Sequence, residues 1–295
     1  MTRTARSRKH KGFDLEKRLA AAAAAVEREP ASWRGRWHTW AAPGTYSPAG
    51  SWRRIVVDLG CGKGAATVAA AAAHPDTLFV GIDTEPVCTL QSAEKAVAQG
   101  LSNAVFPLAE DPQLPDLFAP GEIDRLVLNF PTPYPKKKQA ALRLTHVDRL
   151  IAYRPLLAPG ATLLLKTDSD PFLQFSLEEL ALARYRIVRG THNWRAAHPD
   201  APATEYEAKL VAKGAPVLAL EAAPTTEPTP RANEIVQTAH ASLYDYLPAN
   251  LDELDYVPHG MEGAVENMRN HARHQAEKQA AGERGAFARE PLAPR

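Results

Sequence analysis

The chain has 295 residues, of which 45% are apolar, so it is long enough for one large domain with an appendage. The formal net charge is only +1, which excludes a polycation and leaves any binding of a polyanion to local basic patches. The two cysteines lie outside any CxxC pair and exclude a disulfide scaffold, and no apolar run is long enough to span a membrane or to form a secretory signal. We therefore expect a cytoplasmic protein.

The first predicted elements are a basic arm over residues 3–12 and a helix over 14–29, which is rich in strong helix formers. After residue 54 the pattern changes to strands that alternate with helices, which is typical of a doubly wound, mostly parallel sheet. The stretch 204–222 predicts strands on both sides of Gly214. Strands are predicted at 55–60, 78–83, 103–109, 123–130 and 161–168, and helices at 65–74, 85–100, 143–157 and 171–185.

The remaining chain begins with a segment rich in proline and threonine, residues 223–232, which has the composition of a linker. Amphipathic stretches at 233–247 and 261–281 predict helices beyond it. We expect these helices to contribute nothing to catalysis, because they carry no grouping of chemically active side chains. The predicted organisation is an arm and helix at 1–50, an α/β domain at 51–222, the linker, and a helical C-terminal extension at 233–295.

The segment VVDLGCGKG, residues 56–64, closes the first strand of the α/β domain and opens a helix. Gly60, Gly62 and Gly64 let the backbone turn tightly and approach a ligand, and the following helix presents free N–H groups and a positive dipole end. The spacing D-x-G-x-G-x-G resembles motif I of class I S-adenosylmethionine-dependent methyltransferases. The resemblance implies S-adenosylmethionine as cofactor, with Asp58 near its methionine end.

Acidic residues also follow the second and third predicted strands. Asp83 ends the second strand, at the position that hydrogen-bonds ribose hydroxyls in nucleotide-binding folds. Glu110 and Asp111 follow the third strand, where the methyltransferase fold usually contacts the adenine amino group. We expect Asp83 on the ribose and either Glu110 or Asp111 on the adenine, although acidic residues in a loop are more often simply solvated.

The fourth predicted strand ends in the loop NFPTPYPK, residues 129–136, and two further lysines follow it. A methyltransferase acceptor normally lies at this end of the fourth strand, beside the cofactor. The prolines stiffen the loop, and Tyr134 could stack on a base. Lys136, Lys137, Lys138 and Arg143 could meet phosphates, and the alternative is a proline-rich turn followed by a solvated basic helix start.

Two further motifs complete an ordered pattern, Thr-Asp at 167–168 and Thr-Glu-Tyr-Glu at 204–207. With motif I and FPTPYPK at 130–136, they resemble the bacterial tRNA (guanine-N7)-methyltransferase family, which carries F-P-D-P-W-x-K, T-D and T-x-[FY]-E in this order. The resemblance covers residues 50–220. It implies a Rossmann-like, mostly parallel seven-stranded sheet, tRNA as partner, and transfer of a methyl group from S-adenosylmethionine to guanine N7.

The resemblance also implies roles for single residues. Guanine N7 has a lone pair and no proton, so the site needs to desolvate and align the base rather than supply a strong general base. Asp168 and Glu207 are expected to accept hydrogen bonds from the guanine edge as catalytic residues, and Thr132 takes the position of the family's catalytic loop aspartate. Substrate contacts are implied for Lys136, Asp168, Thr204, Glu205, Tyr206 and Glu207.

Two positions of the loop depart from the family pattern, because Thr132 replaces the aspartate and Tyr134 replaces the tryptophan. A threonine hydroxyl can accept a hydrogen bond but brings no charge to the forming purinium, so a reduced rate is expected.

Two alternatives remain open. The loop is also similar to the N-P-P-[YF] loop of amino-group methyltransferases, in which Asn129 would be catalytic. The loss of the loop aspartate would also fit an RNA-binding protein with little catalytic activity. No metal site is predicted, and the sequence leaves open whether the protein is a monomer or a homodimer.

Overall fold

The computed structural model describes residues 13–43, 51–109 and 114–287. The predicted basic arm at 3–12 and the predicted adenine contacts Glu110 and Asp111 lie outside the described residues. The helices are α1 (Leu15–Ala21), α2 (Ala65–Ala73), α3 (Pro86–Ala98), α4 (Leu114–Leu117), α5 (Val147–Tyr153), α6 (Asp170–Leu182), α7 (Trp194–Ala197), α8 (Glu205–Val211) and α9 (Glu262–Phe287).

A single sheet organises the described part of the chain, and its strand order is β1-β4-β3-β2-β5-β6-β8-β7. Strand β8 is antiparallel to both β6 and β7, whereas the other neighbouring pairs are parallel. The predicted doubly wound, mostly parallel sheet is therefore confirmed. The strands are β1 (Val26–Glu27), β2 (Arg54–Leu59), β3 (Thr77–Ile82), β4 (Ala104–Pro107), β5 (Ile123–Asn129), β6 (Leu157–Thr167), β7 (Tyr185–Thr191) and β8 (Leu218–Pro224).

Two layers of helices cover the sheet, which follows from the alternation of side chains along each strand. Helices α1, α2 and α3 pack on one face, with Leu19, Val68 and Leu90 buried against Phe79 and Phe106. Helices α5 and α6 pack on the other face, where they bury the larger apolar cluster. That cluster includes Ile55, Val57, Leu126, Leu128, Leu150, Leu163, Leu165, Phe172 and Phe175.

The helix predicted over 14–29 ends at Ala21, and two of its residues form β1 instead, an eighth strand in place of the expected seven. Val26 is buried, and the Glu27 carboxylate accepts hydrogen bonds from the indole N–H groups of Trp33 at 2.7 Å and Trp40 at 3.2 Å. These tertiary contacts outweigh the intrinsic helix propensity of the segment.

The prediction of a strand before Gly214 is wrong, because residues 205–211 form α8. Thr204 caps this helix by accepting a hydrogen bond from the Glu207 N–H at 2.9 Å, and Thr-x-x-Glu is a helix-start pattern. The antiparallel partner of β8 is β7, which the sequence did not predict. The side chains from Arg186 to Gly190 are exposed, so β7 shows no alternation of buried and solvated residues.

The helix predicted at 233–247 is also wrong, since this stretch is irregular with short 3₁₀ turns at Ala232–Glu234 and Leu243–Tyr246. The second helix is confirmed as α9. The extension packs into the main core rather than standing apart from it. Ala239, Leu243, Met261 and Val265 are buried in the same apolar cluster as the strands.

Candidate active site

A cleft of about 720 Å³ opens at the carboxyl ends of β2, β3 and β5. Parallel α/β sheets bind ligands at this edge, and the volume is typical of a site for a small molecule. Its lining combines the ends of three strands with one helix of the α5 layer. The polar and loop residues of that lining are Gly60, Asp83, Glu85, Phe130, Pro131, Thr132, Tyr134, Asp148 and Arg149.

The glycine-rich turn shapes one wall of this cleft. Gly60, Gly62 and Gly64 have φ angles of 80°, 57° and 70°, in the left-handed region that favours glycine. At Gly64 a Cβ atom would also lie 2.5 Å from the Ser92 hydroxyl oxygen, so glycine is needed for α2 and α3 to pack. The turn therefore has the backbone conformation that the motif predicts.

Asp83 joins the glycine turn to the start of α3. Its Oδ2 accepts a hydrogen bond from the Gly62 N–H at 2.9 Å, and its Oδ1 accepts one from the Glu85 N–H at 2.9 Å. The half-buried carboxylate lines the cleft, and each of its oxygens has further lone-pair capacity. It can therefore accept from hydroxyls of a bound nucleoside.

Asp58 lies on the opposite side of the turn, in a groove of about 850 Å³ on the face of β2, β5 and β6. Its Oδ2 accepts from the Thr67 hydroxyl at 2.5 Å, and its Oδ1 accepts from the Asn129 amide at 3.2 Å. Burial raises the pKa of Asp58, although these two hydrogen bonds act in the opposite direction. Asp58 thus ties α2 and β5 to the strand that carries the glycine turn.

The loop after β5 is held in an unusual conformation. Phe130 and Tyr134 have φ angles of 49° and 45°, which non-glycine residues rarely adopt and which cluster at functional sites. Pro131 is buried, whereas Thr132 is exposed at the cleft. The loop is therefore a rigid rim with an open threonine at its tip.

Arg143 holds this rim, and its predicted phosphate contact is wrong. The guanidinium is fully buried, lies 4.3 Å from the Phe175 ring centroid, and donates to the carbonyl oxygens of Pro133, Tyr134 and Ala241 at 2.8–3.2 Å. Burial lowers the pKa of Arg143 to about 10. The arginine therefore ties the loop to the C-terminal extension and does not face solvent, unlike the exposed Lys136, Lys137 and Lys138.

Asp168 follows β6 directly beside this loop. Asn129 pairs with Lys166 in the β5–β6 register, and the Phe130 N–H donates to the Lys166 carbonyl at 2.7 Å. Asp168 is only 7% exposed, and its Oδ2 accepts from the Tyr256 hydroxyl at 2.7 Å. Tyr256 belongs to the extension, and no sequence signal connected it to the site.

Glu207 is completely buried within a group of charges. Its Oε2 accepts from the Lys166 ammonium at 2.9 Å, and its Oε1 accepts from Arg195 Nε at 2.6 Å. Burial lowers the pKa of Lys166. The sequence had not singled out Lys166 or Arg195, although a lysine within the apolar strand segment TLLLKT was a signal that it requires a buried partner.

The other residues of the TEYE motif separate along α8. The Tyr206 ring packs edge-on against Phe130 with ring centroids 5.6 Å apart, and its other neighbour is His259 at 6.1 Å. Burial and the nearby carboxylates of Asp168 and Glu262 raise the pKa of Tyr206 to about 12. Glu205 is exposed and pairs with Lys95 at 2.6 Å, so it anchors α8 to α3. The structure thus brings Tyr206, and not Glu205, beside the loop.

The sequence matches the Methyltransf_4 family of methyltransferases over residues 53–220. The chain belongs to this family. A Lactococcus lactis relative named tRNA (guanine-N(7)-)-methyltransferase is 32% identical over 69% of this chain and 92% of its own length. A Geobacillus kaustophilus relative with the same name is 34% identical over 61% of this chain and 87% of its own. The family resemblance drawn from the motifs is therefore confirmed.

Among solved structures, an antibiotic-resistance methyltransferase, Kmr, covers 60% of this chain and 89% of its own at 23% identity, with a TM-score of 0.41. This likeness is too distant to support any assignment. Family membership confirms S-adenosylmethionine as the cofactor. The cleft fits it, because it is large enough and places the glycine turn beside the Asp83 carboxylate. No helix in the described part of the chain is long and apolar enough to cross a membrane.

Proposed function

We infer that this family member transfers a methyl group from S-adenosylmethionine to N7 of a guanine in tRNA and so forms 7-methylguanosine. The observation that carries the inference is the position of Asp168 beside the Phe130–Pro131 rim of the cofactor cleft. Relatives that the chain covers over about nine-tenths of their length bear this activity in their names.

Asp168 is proposed to hold the guanine. In the described residues, the hydrogen bonds to its carboxylate go to Oδ2, so Oδ1 can accept from N1–H or the 2-amino group of the base. Methylation at N7 places a positive charge on the purine, and a carboxylate that is already oriented stabilises this charge without reorganising. Asp168 would therefore both align the base and favour the transition state.

Glu207 is proposed to act through its neighbours rather than on the base. Both of its oxygens are engaged by Lys166 and Arg195, and its side chain is inaccessible to solvent. Holding α8 against β6 keeps Tyr206 beside the loop. This positioning role replaces the hydrogen bonds to guanine that the motif suggested for Glu207.

S-adenosylmethionine supplies the methyl group, and the chain supplies alignment and charge. Asp83 can accept from the ribose hydroxyls, and the rigid loop excludes water beside the acceptor. Lys136 to Lys138 are exposed just beyond the rim and are proposed to receive the tRNA backbone. Because N7 carries no proton, the absence of a free general base among these residues is consistent with the reaction.

Asn129 is less suited to hold an exocyclic amine. Its amide nitrogen donates to Asp58, and its side chain faces the large groove rather than the cleft with Asp83. These contacts support a tether between β5 and β2, so we favour methylation of the ring nitrogen.

The test is transfer of a labelled methyl group from S-adenosylmethionine into bulk tRNA, followed by digestion and separation of the nucleosides. We expect the label in 7-methylguanosine, and its loss in Asp168→Ala. Label in an exocyclic amine would favour the Asn129 mechanism. A protein that binds tRNA and cofactor but transfers no label would be an RNA-binding protein that has retained the fold.

A further inference from the structure

We propose that the C-terminal extension completes the acceptor site, with Tyr256 as a positioning residue for Asp168 and with the rings around it as a stacking surface for the purine. This inference rests on the proposed function. It also reverses the expectation that the extension plays no part in catalysis. The family match ends at residue 220, so the extension lies outside the matched range.

The first observation is the hydrogen bond from the Tyr256 hydroxyl to Asp168 Oδ2 at 2.7 Å. The backbone N–H of His259 also approaches this oxygen, at 3.5 Å. Asp168 is 7% exposed, so its orientation decides which of its oxygens can reach a ligand. Burial and the Asp168 charge raise the pKa of Tyr256, which keeps the phenol protonated and able to donate.

The second observation is a row of rings from three separate segments. Phe130 comes from the loop after β5, Tyr206 from α8, and His259 from the extension. Successive ring centroids lie 5.6 Å and 6.1 Å apart. Tyr206 is 37% exposed, and Phe130 also lines the cofactor cleft. Aromatic faces of this kind stack on bases that are splayed out of an RNA chain.

The third observation is that the extension is fastened to the same loop that borders the cleft. The Leu243 N–H donates to the Pro135 carbonyl at 2.9 Å, and Arg143 bridges the Tyr134 and Ala241 carbonyls. Met261 and Val265 are fully buried immediately after the Tyr256–His259 segment. The segment is therefore held in place from both sides.

These contacts indicate the chemical class of the ligand. The row of rings offers stacking, Asp168 Oδ1 offers an acceptor for N–H donors, and Tyr256 fixes the direction of that acceptor. A purine with N–H groups on one edge, presented from single-stranded or looped RNA, fits all three features. Guanine is such a base, whereas adenine lacks an N1–H donor.

The test is a double-mutant cycle in the full-length chain with Tyr256→Phe, Asp168→Ala and the double variant. Tyr256→Phe removes only the hydroxyl and keeps the ring. We expect it to lower kcat/KM for tRNA by about three- to ten-fold, as for the loss of one hydrogen bond to a charged group. Its affinity for S-adenosylmethionine should not change.

In the Asp168→Ala background the same substitution should have no further effect, because the partner of the hydroxyl is gone. Equilibrium binding of tRNA to the enzyme saturated with S-adenosylhomocysteine gives a second readout for variants whose turnover is too slow to measure. Tyr244→Phe is the matched control, since Tyr244 lies in the same extension and packs against the core.

Wild-type kinetics and tRNA binding in Tyr256→Phe, or an equal loss with and without Asp168, would overturn the inference. The proposed function has its own readout, because its failure would appear as absence of methyl transfer by the wild type. If the wild type binds tRNA without transfer and Tyr256→Phe weakens that binding only when Asp168 is present, the extension is part of an RNA site in a protein of different activity.

Discussion

At the scale of single residues, the cleft depends on Asp83, whose two oxygens hold Gly62 and Glu85 while the carboxylate faces the cleft. We expect Asp83→Ala to weaken binding of S-adenosylmethionine by about 1.5–3 kcal/mol, because charged hydrogen bonds to the ribose are lost. Calorimetry measures the change. Asp76→Ala is the control, since this exposed carboxylate lies at the amino end of β3. An unchanged affinity in Asp83→Ala would contradict the assignment.

Thr132 tests the departure from the family loop. The side chain is exposed at the cleft, so Thr132→Asp should barely change the free energy of unfolding. If the threonine replaces a working carboxylate, the added charge should raise the turnover number for tRNA several-fold by stabilising the purinium. Steady-state kinetics with saturating cofactor measure this. A loss of turnover would mean that the loop is built around a neutral residue.

At the scale of elements, α8 combines an exposed and a buried ion pair two residues apart. Glu207→Gln should destabilise the protein by about 3–5 kcal/mol, because Lys166 is left buried with an uncompensated charge. Glu205→Gln on the same helix should cost only about 0–1 kcal/mol, since that pair is exposed. Denaturant unfolding of both variants gives the comparison. Similar losses for the two would argue against a special role of the buried group.

The elements also show what the sequence could predict. The buried parallel strands and the glycine turn followed from local periodicity and from motif I, because each pattern is contained within a few residues. Strand β7 was missed because its exposed side chains carry no alternation, and α8 was misread although Thr204 offers a cap. The contact of Tyr256 with Asp168 joins residues 88 positions apart, and no local pattern could have indicated it.

At the scale of the whole molecule, the net charge of +1 makes RNA binding a local property. Neutralising Lys136, Lys137 and Lys138 should reduce the slope of log affinity against log salt by about two to three. Filter binding of tRNA over a series of salt concentrations measures this slope. Neutralising Arg53 and Arg54, which lie at the opposite edge of the sheet, should leave it unchanged. An unaltered slope in the lysine variant would make those side chains a solvated surface only.

The grip of Arg143 on the loop and on the extension has a dynamic consequence. Its guanidinium bonds Tyr134 and Ala241 together, and the Leu243 amide is bonded to Pro135 a few ångströms along the same loop. The rim cannot loosen locally without freeing the extension, so the two should open as one cooperative unit. Hydrogen exchange at the Leu243 amide would then report on movements of the rim, and bound RNA would slow that exchange from a position that it does not touch.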